Sequence, residues 1–213
     1  MSKVKVSAFS VSLDGFGAGI NQDLNNPIGV KGHSLHGWLL NTKMFYQMIG
    51  KEGGETGIDN DFAMESMTNV GAWIMGRNMF SPSRGAWPND DWKGWWGPNP
   101  PYHTPVFILT HFARPTLEME GGTTFHFVTE GIEAALKKAK EAAGNKDIRI
   151  LGGASVIRQY LKANLIDELH LAYSPVFLGQ GETLLEGIDV CKLGFKVIEH
   201  TATERAVHVR LGK

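Results

Sequence analysis

The sequence predicts an α/β domain whose sheet is mixed and ends in a C-terminal antiparallel hairpin. Three observations carry that prediction. Short apolar runs that stop at glycine or a turn recur along the chain. Segments of helical period fall between them, and from Phe195 onward the pattern becomes two strand-like runs joined by a short polar stretch.

In order, Val4, Val6, Ala8 and Val11 lie in a β-branched stretch that runs from Lys3 to Asp14-Gly15, which reads as a buried strand and a turn. The Gly- and Asn-rich segment 15–32 has no period and reads as a long loop, a kind of segment that is often functional. Leu35, Trp38, Leu39, Phe45, Met48 and Ile49 predict one amphipathic helix stopping at Gly50. After a flexible stretch at 53–57, Phe62, Met64 and Met67 mark a short helix. Ala72-Trp73-Ile74-Met75, closed by Gly76-Arg77, reads as a central strand. The same grammar returns at 106–109, 125–128, 148–151 and 168–173. Ile132, Ala135, Leu136 and Ala139 mark a helix ending at Gly144, and Val156, Ile157, Tyr160 and Leu161 mark another. Phe195, Val197 and Ile198, then Ala206, Val207, Val209 and Leu211, form the hairpin. With no internal repeat and no linker between two cores, residues 1–213 read as one domain.

Composition narrows the function. Lys and Arg number 21 against 22 Asp and Glu, a formal net charge of −1. Together with a sequence pI of about 6.7, this argues against nucleic acid or an anionic membrane surface as a partner. At 42% hydrophobic and 20% charged, the chain is too apolar for disorder. Its single cysteine, Cys191, excludes an intrachain disulfide and a multi-cysteine metal site. No run approaches the roughly 18 apolar residues of a membrane helix, and Met1–Val6 leads straight into the first strand, so a cytoplasmic protein is expected. The 26 glycines imply special turns or close approach of backbone to a ligand.

Three strand ends carry candidate chemistry. In Ile148–Ile157 a strand passes through Gly152-Gly153 into a helix that starts at Ala154, Ser155 and Val156, which leaves bare amides facing any anion. The alternative is a tight turn that needs glycine only for its backbone angles. Gly76 is followed by Arg77, a planar permanent cation suited to phosphate, or else a surface arginine paired with a carboxylate. Thr110-His111 adds polar groups at a third strand end, and in open α/β sheets that edge binds ligands. Gly15-Phe16-Gly17-Ala18-Gly19 lacks the following helix of a dinucleotide fingerprint, and His33 with His36 lacks a third ligand, so no metal is expected. Trp87, Trp92, Trp95 and Trp96, with the prolines that follow, read as a packed loop, a subunit contact or a lid over a planar ring.

The order Ser12-Leu13-Asp14-Gly15, Ile74-Met75-Gly76-Arg77, Val106-Phe107-Ile108-Leu109-Thr110, Leu151-Gly152-Gly153-Ala154 and Pro175–Gly181 resembles the dihydrofolate reductase-like superfamily. Within it, the sequence is most similar to the branch of the RibD C-terminal domain, the reductase domain of bacterial riboflavin biosynthesis. The resemblance implies a mainly parallel eight-stranded sheet with helices on both faces, binding NADPH in an extended pose. It assigns Gly76, Arg77 and Asn78 to the pyrophosphate and the adenosine 2′-phosphate, and Thr110 and His111 to the adenine half. Gly152, Gly153, Ala154, Ser155 and Val156 would cradle the central phosphates, while Ala8 and Leu13 to Gly15 approach the nicotinamide. Met79 stands where dihydrofolate reductases carry a hydroxyl residue. Asp59 and Asp61 lie at about the distance of the acid that supports pterin protonation, although either could instead cap the helix before Phe62. Leu178-Gly179-Gln180-Gly181 belongs to the riboflavin-type branch rather than to folate reduction.

The expected activity is therefore an NADPH-dependent reductase of a small planar or carbonyl-bearing metabolite, pterin- or pyrimidine-like. Asp14, Asp59 and Asp61 are the candidate proton-relay or substrate-contact residues, and a homodimer is expected. The alternatives are an NADPH-binding protein without turnover, acting as a sensor or interaction module, and a purely structural protein built around the tryptophan-rich loop.

Overall fold

Runs such as Val70–Met75 and Ile148–Leu151 are apolar at nearly every position, as strands covered on both faces must be, and they form the middle of a sheet. The computed structural model describes residues 2–213. Its strands are β1 (Val4–Ser12), β2 (Phe16–Ala18), β3 (Val70–Gly76), β4 (Pro105–Leu109), β5 (Leu117–Glu118), β6 (Thr124–Val128), β7 (Asp147–Gly152), β8 (Glu168–Ser174), β9 (Glu182–Thr183), β10 (Lys196–Ala202) and β11 (Val207–Gly212). The α-helices are α1 (Gly37–Leu40), α2 (Lys43–Met48), α3 (Ile58–Ser66), α4 (Arg77–Phe80), α5 (Ile132–Ala143) and α6 (Ala154–Lys162).

Nine strands make one sheet in the order β10-β11-β8-β1-β7-β3-β4-β6-β5, and β2 pairs separately with β9. The six strands from β8 to β6 in that order are mutually parallel. The β10-β11 hairpin adds antiparallel to β8, as the tail pattern predicts, and makes the sheet mixed. The resemblance implied eight strands. The ninth, β5, is a two-residue antiparallel addition at the far edge, too short to leave a period in the sequence.

Helices α5 and α6 cover one face over Val6, Ile74, Ile148 and Ile150. A second cluster of Trp73, Met75, Val106, Ile108 and Phe125 lies beneath the tryptophan-rich segment, which folds as a packed loop. There the Trp92 indole donates to the Phe80 carbonyl at 2.8 Å. A third cluster, Trp38, Phe62, Ala63 and Ala172, sits under α1 and α3.

Strand β1 changes parity between these layers. Val4 and Val6 face the first cluster, and so do Phe9 and Val11, because the pairing with β8 shifts register between Val6 and Phe9. Ala8 is the extra residue, at φ 55°, and it turns toward the third cluster. An inserted residue in a strand reverses every side chain beyond it.

Three expectations need correction. The helix read over 35–49 is broken into a 3-10 turn at Gly32–His36, then α1 and α2. Thr42 is extended between the helices, where it bridges Glu55 and caps α2 by accepting the Phe45 amide at 3.2 Å. The loop 15–32 contains β2, and its glycines allow a backbone crossing, since a Cβ on Gly19 would lie 2.0 Å from the Val30 carbonyl oxygen. Neither Asp59 nor Asp61 caps α3, whose N-cap is Gly57 without a side-chain bond. Among the described residues, no helix is long and apolar enough to cross a membrane.

Candidate active site

Parallel pairing places the C-terminal ends of the central strands side by side. Gly76 pairs with Leu109 of β4, and Met75 pairs with Gly152 of β7, so Gly76-Arg77, Thr110 and Gly152-Gly153 share one edge. Glycine is required at 76 by packing, because a Cβ there would sit 2.8 Å from Val156 Cγ2 in the first turn of α6. At Gly152, φ is 132° and a Cβ would lie 3.0 Å from the Phe9 ring. The Gly152-Gly153 peptide bond is cis. Gly153 caps α6 without a side-chain bond, and its carbonyl accepts from Val156 and Ile157 at 3.0 and 3.2 Å. The Ala154 and Ser155 amides have no intrahelical acceptor. The Val156 amide assigned to phosphate is thus already bonded, and its side chain packs on Gly76.

Arg77 is 9% exposed, and its guanidinium lies 3.7 Å above the Trp87 ring. Its Nη1 donates to the Gly85 carbonyl, while Nε and Nη2 are buried without a partner. Burial pushes its pKa below the usual arginine value, and the neighbouring charges of Arg84 and Arg114 add to the effect. Arg114, which the sequence reading did not single out, uses Nε and Nη2 on Asp90 at 3.1 and 2.7 Å and leaves Nη1 buried and unpaired. Its guanidinium is 5.0 Å from the same Trp87 ring. Each such orphaned group costs about 1–3 kcal/mol until it meets an acceptor. Two permanent cations thus bring three buried, unpartnered guanidinium nitrogens to this edge. Beside them, Thr110 folds its hydroxyl onto the Phe112 amide at 3.2 Å, and Asn78 and His111 are exposed. Met79 Sδ borders Gly152.

At the end of β1, the Leu13 amide donates to the Val176 carbonyl at 3.0 Å, and the Leu13 side chain is exposed. Gly15 turns at φ 88°. Asp14 accepts the Leu178 and Gly179 amides at 3.2 and 2.7 Å. The Ser12 hydroxyl and then these amides hold its carboxyl below the usual range, so Asp14 clasps the glycine turn to β1.

The two α3 carboxylates part company. Asp61 faces solvent, whereas Asp59 turns inward and accepts from His208 Nε2 at 2.8 Å. His208 Nδ1 is 3.0 Å from His170 Nε2, and His170 Nδ1 accepts the Ala8 amide at 3.0 Å. Phe62 stacks on both imidazoles, at 4.5 Å from His170 and 4.3 Å from His208, and Trp38 meets both edge-on. Burial pushes His170 down to about 3. It depresses His208 as well, although Asp59 pulls the other way. Asp59 also lines a cavity of about 240 Å³ with Thr42, Glu55, Asn60, Thr203 and Arg205. The structure therefore joins Ala8 to Asp59 through two histidines that the sequence reading missed. Their only trace was that His170 and His208 each stand between apolar neighbours in the runs 168–173 and 206–211.

Solved structures share this arrangement of strands. Acinetobacter baumannii RibD is 15% identical, with 100% of this chain aligned to 58% of that one at a TM-score of 0.58. A pyrimidine reductase-like protein from Corynebacterium diphtheriae NCTC is 13% identical over 99% of this chain and 91% of that one, at a TM-score of 0.53. Identities this low bear on the fold alone. The uncharacterized Bacillus subtilis (strain 168) protein YyaP is 41% identical over 79 residues, which span 37% of this chain and 39% of that one. The RibD C-terminal domain family matches residues 4–209, so nearly the whole sheet and every strand end described above fall inside it, and the chain belongs to that family.

Proposed function

We propose that this protein is an NADPH-dependent reductase that delivers hydride to a small planar or carbonyl-bearing metabolite, pyrimidine- or pterin-like in shape. The observation that carries the reading is the set of buried, unpartnered guanidinium nitrogens on Arg77 and Arg114 at the strand-end edge. They fit a phosphomonoester, which distinguishes NADPH from NADH. The Ala154 and Ser155 amides, reached past side chains that Gly152 and Gly153 lack, fit the pyrophosphate. Thr110 and His111 border the adenine half, and Ala8, Leu13 and Gly15 border the nicotinamide. Membership of the RibD C-terminal domain family supports the same class of chemistry.

When bound, the cofactor supplies the hydride. The chain's own residues would bind and orient it: the arginines and helix amides would hold the phosphates, and the β1 bulge would lie toward the nicotinamide end. The accompanying proton comes from water or a carboxylate, and of the three candidate carboxylates Asp14 and Asp59 accept hydrogen bonds from defined partners while Asp61 faces solvent. A homodimer belongs to the same reading. The edge strand β10 presents Val197 and Ile198, each 58% exposed, and sedimentation at micromolar concentration tests it.

The deciding experiment is a paired NADPH and NADH titration by tryptophan fluorescence, followed by NADPH oxidation with pterin, pyrimidine and quinone-like acceptors. Tight binding that prefers NADPH, with turnover of one acceptor, is expected. Stoichiometric binding without oxidation makes the protein a nucleotide-binding module, and a folded protein that binds neither nucleotide overturns the reading.

A further inference from the structure

We infer that His170 and His208 are positioning residues, a one-way hydrogen-bond chain that ties the Ala8 bulge to Asp59. The inference rests on the proposal that the bulge lies against the nicotinamide. Its starting point is a group whose role is not adjustable: a backbone N–H can only donate. The Ala8 amide donates to His170 Nδ1, so that nitrogen is a lone pair and the proton of the neutral ring is on Nε2. That proton points at His208 Nδ1, 3.0 Å away, which must then accept. The proton of His208 is therefore on Nε2, 2.8 Å from Asp59 Oδ1. One tautomer of each ring satisfies all three bonds. An extra proton on either ring would set two donors face to face.

The surroundings favour the same state. Burial opposes charge on both rings; His208, Arg210 of β11 and Arg149 of β7 add to it at His170, whereas Asp59 of α3 and Glu199 of β10 favour charge on His208, where burial outweighs them. Phe62 and Trp38 close both rings off from water. His170 and His208 are 4% and 0% exposed, so the bonds face no competition from solvent.

The chain matters to the site because of what the bulge carries. Ala8 is the residue at which β1 changes parity, and its amide is held by a side chain instead of the β8 backbone. The next residue, Phe9, fills the space beside Gly17 and Gly152, where added Cβ atoms would come within 2.7 and 3.0 Å of its ring. Asp59 and the two imidazoles thus fix the bulge, and with it the Ala8 backbone proposed to lie against the nicotinamide.

Two measurements test this. Long-range proton–nitrogen NMR of the wild-type protein at about pH 7 should show both rings neutral with the proton on Nε2. A charged ring, or an Nδ1–H tautomer on His170, overturns the inference. Next, NADPH and adenosine 2′,5′-bisphosphate, which has no nicotinamide, are titrated into His170→Leu and His170→Asn. His170→Leu should weaken NADPH about tenfold and leave the bisphosphate unchanged. His170→Asn, whose side-chain oxygen can accept from the Ala8 amide, should recover most of the loss. Equal loss of both ligands, or loss of neither, overturns the positioning role. If the wild-type protein binds neither ligand, the reductase reading fails, and the NMR result alone decides the chain.

Discussion

Replacing Arg77 with methionine separates affinity from stability. The variant keeps a long side chain over Trp87 but removes the guanidinium, whose buried, unpartnered Nε and Nη2 are the nitrogens proposed to meet the phosphate. A hydrogen bond to a charged group contributes about 1.5–3 kcal/mol, so losing one such bond weakens NADPH roughly 10- to 150-fold. NADH lacks the extra phosphate and should change by no more than about threefold, so the preference for NADPH collapses. The stability terms oppose each other. The variant loses the bond to Gly85 and the cation–π contact, together about 2–5 kcal/mol. It also removes two buried unsatisfied donors, at about 1–3 kcal/mol each, and the repulsion from Arg84 and Arg114. These nearly cancel. At about 2–4 °C per kcal/mol for a chain of this size, the melting temperature should stay within about 4 °C of wild type. Calorimetric titration of both nucleotides, with a thermal melt of the same preparation, reads both quantities. A folded variant that keeps the wild-type preference for NADPH would refute the assignment of the phosphate to Arg77.

Other predictions follow from single contacts. Gly76→Ala drives a Cβ to 2.8 Å from Val156 Cγ2, which should destabilise by about 1–3 kcal/mol, or roughly 2–12 °C. Adding Val156→Ala should restore most of that, and a Gly76→Ala protein as stable as wild type would show that packing does not require the glycine. Stability should fall as pH drops below about 6.5, because unfolded His170 takes up a proton that the folded ring, with its pKa near 3, refuses. The slope from this residue is about 1.4 kcal/mol per pH unit until the folded pKa is reached. Urea midpoints that stay flat between pH 7 and about pH 5 would contradict it. Asp61→Asn, at a solvent-facing position, should leave turnover of an identified acceptor within about twofold, whereas Asp59→Asn should lower it about tenfold. Equal effects of the two variants in initial-rate measurements would remove the distinction between them.

How much of this was legible in the sequence depended on whether a feature is local. The central strands could be read because burial on both faces makes every residue apolar, as in Ala72–Met75. The first helix was misread because helical spacing persists through residues 35–49 even though Thr42 is pulled extended by its bridge to Glu55, a partner that no local pattern reveals. The place of Arg77 at a strand end was legible because it directly follows the glycine that closes β3. Arg114 was not, because a lone arginine in a loop reads as surface until the fold lays it beside Trp87. Asp59 and Asp61 were inseparable for the same reason: which of them turns inward depends on His208, which lies on a strand far along the chain.

The bulge is the intermediate case. A regular strand carries its buried residues at alternate positions, so Val4, Val6 and Ala8 should be followed by an even-numbered partner, yet the next apolar β-branched residue is Val11. That break of parity is the trace an inserted residue leaves, and it lies at Ala8, where the structure shows the register shift and the positive φ. A strand gives up regular pairing only where another group takes over its backbone, and here that group is an imidazole in a chain ending at a carboxylate. Reading Val4, Val6, Ala8 and Val11 as one regular strand passed over that trace. Identifying what stabilises the bulge required the positions of β8, β11 and α3, which come together only in the folded chain.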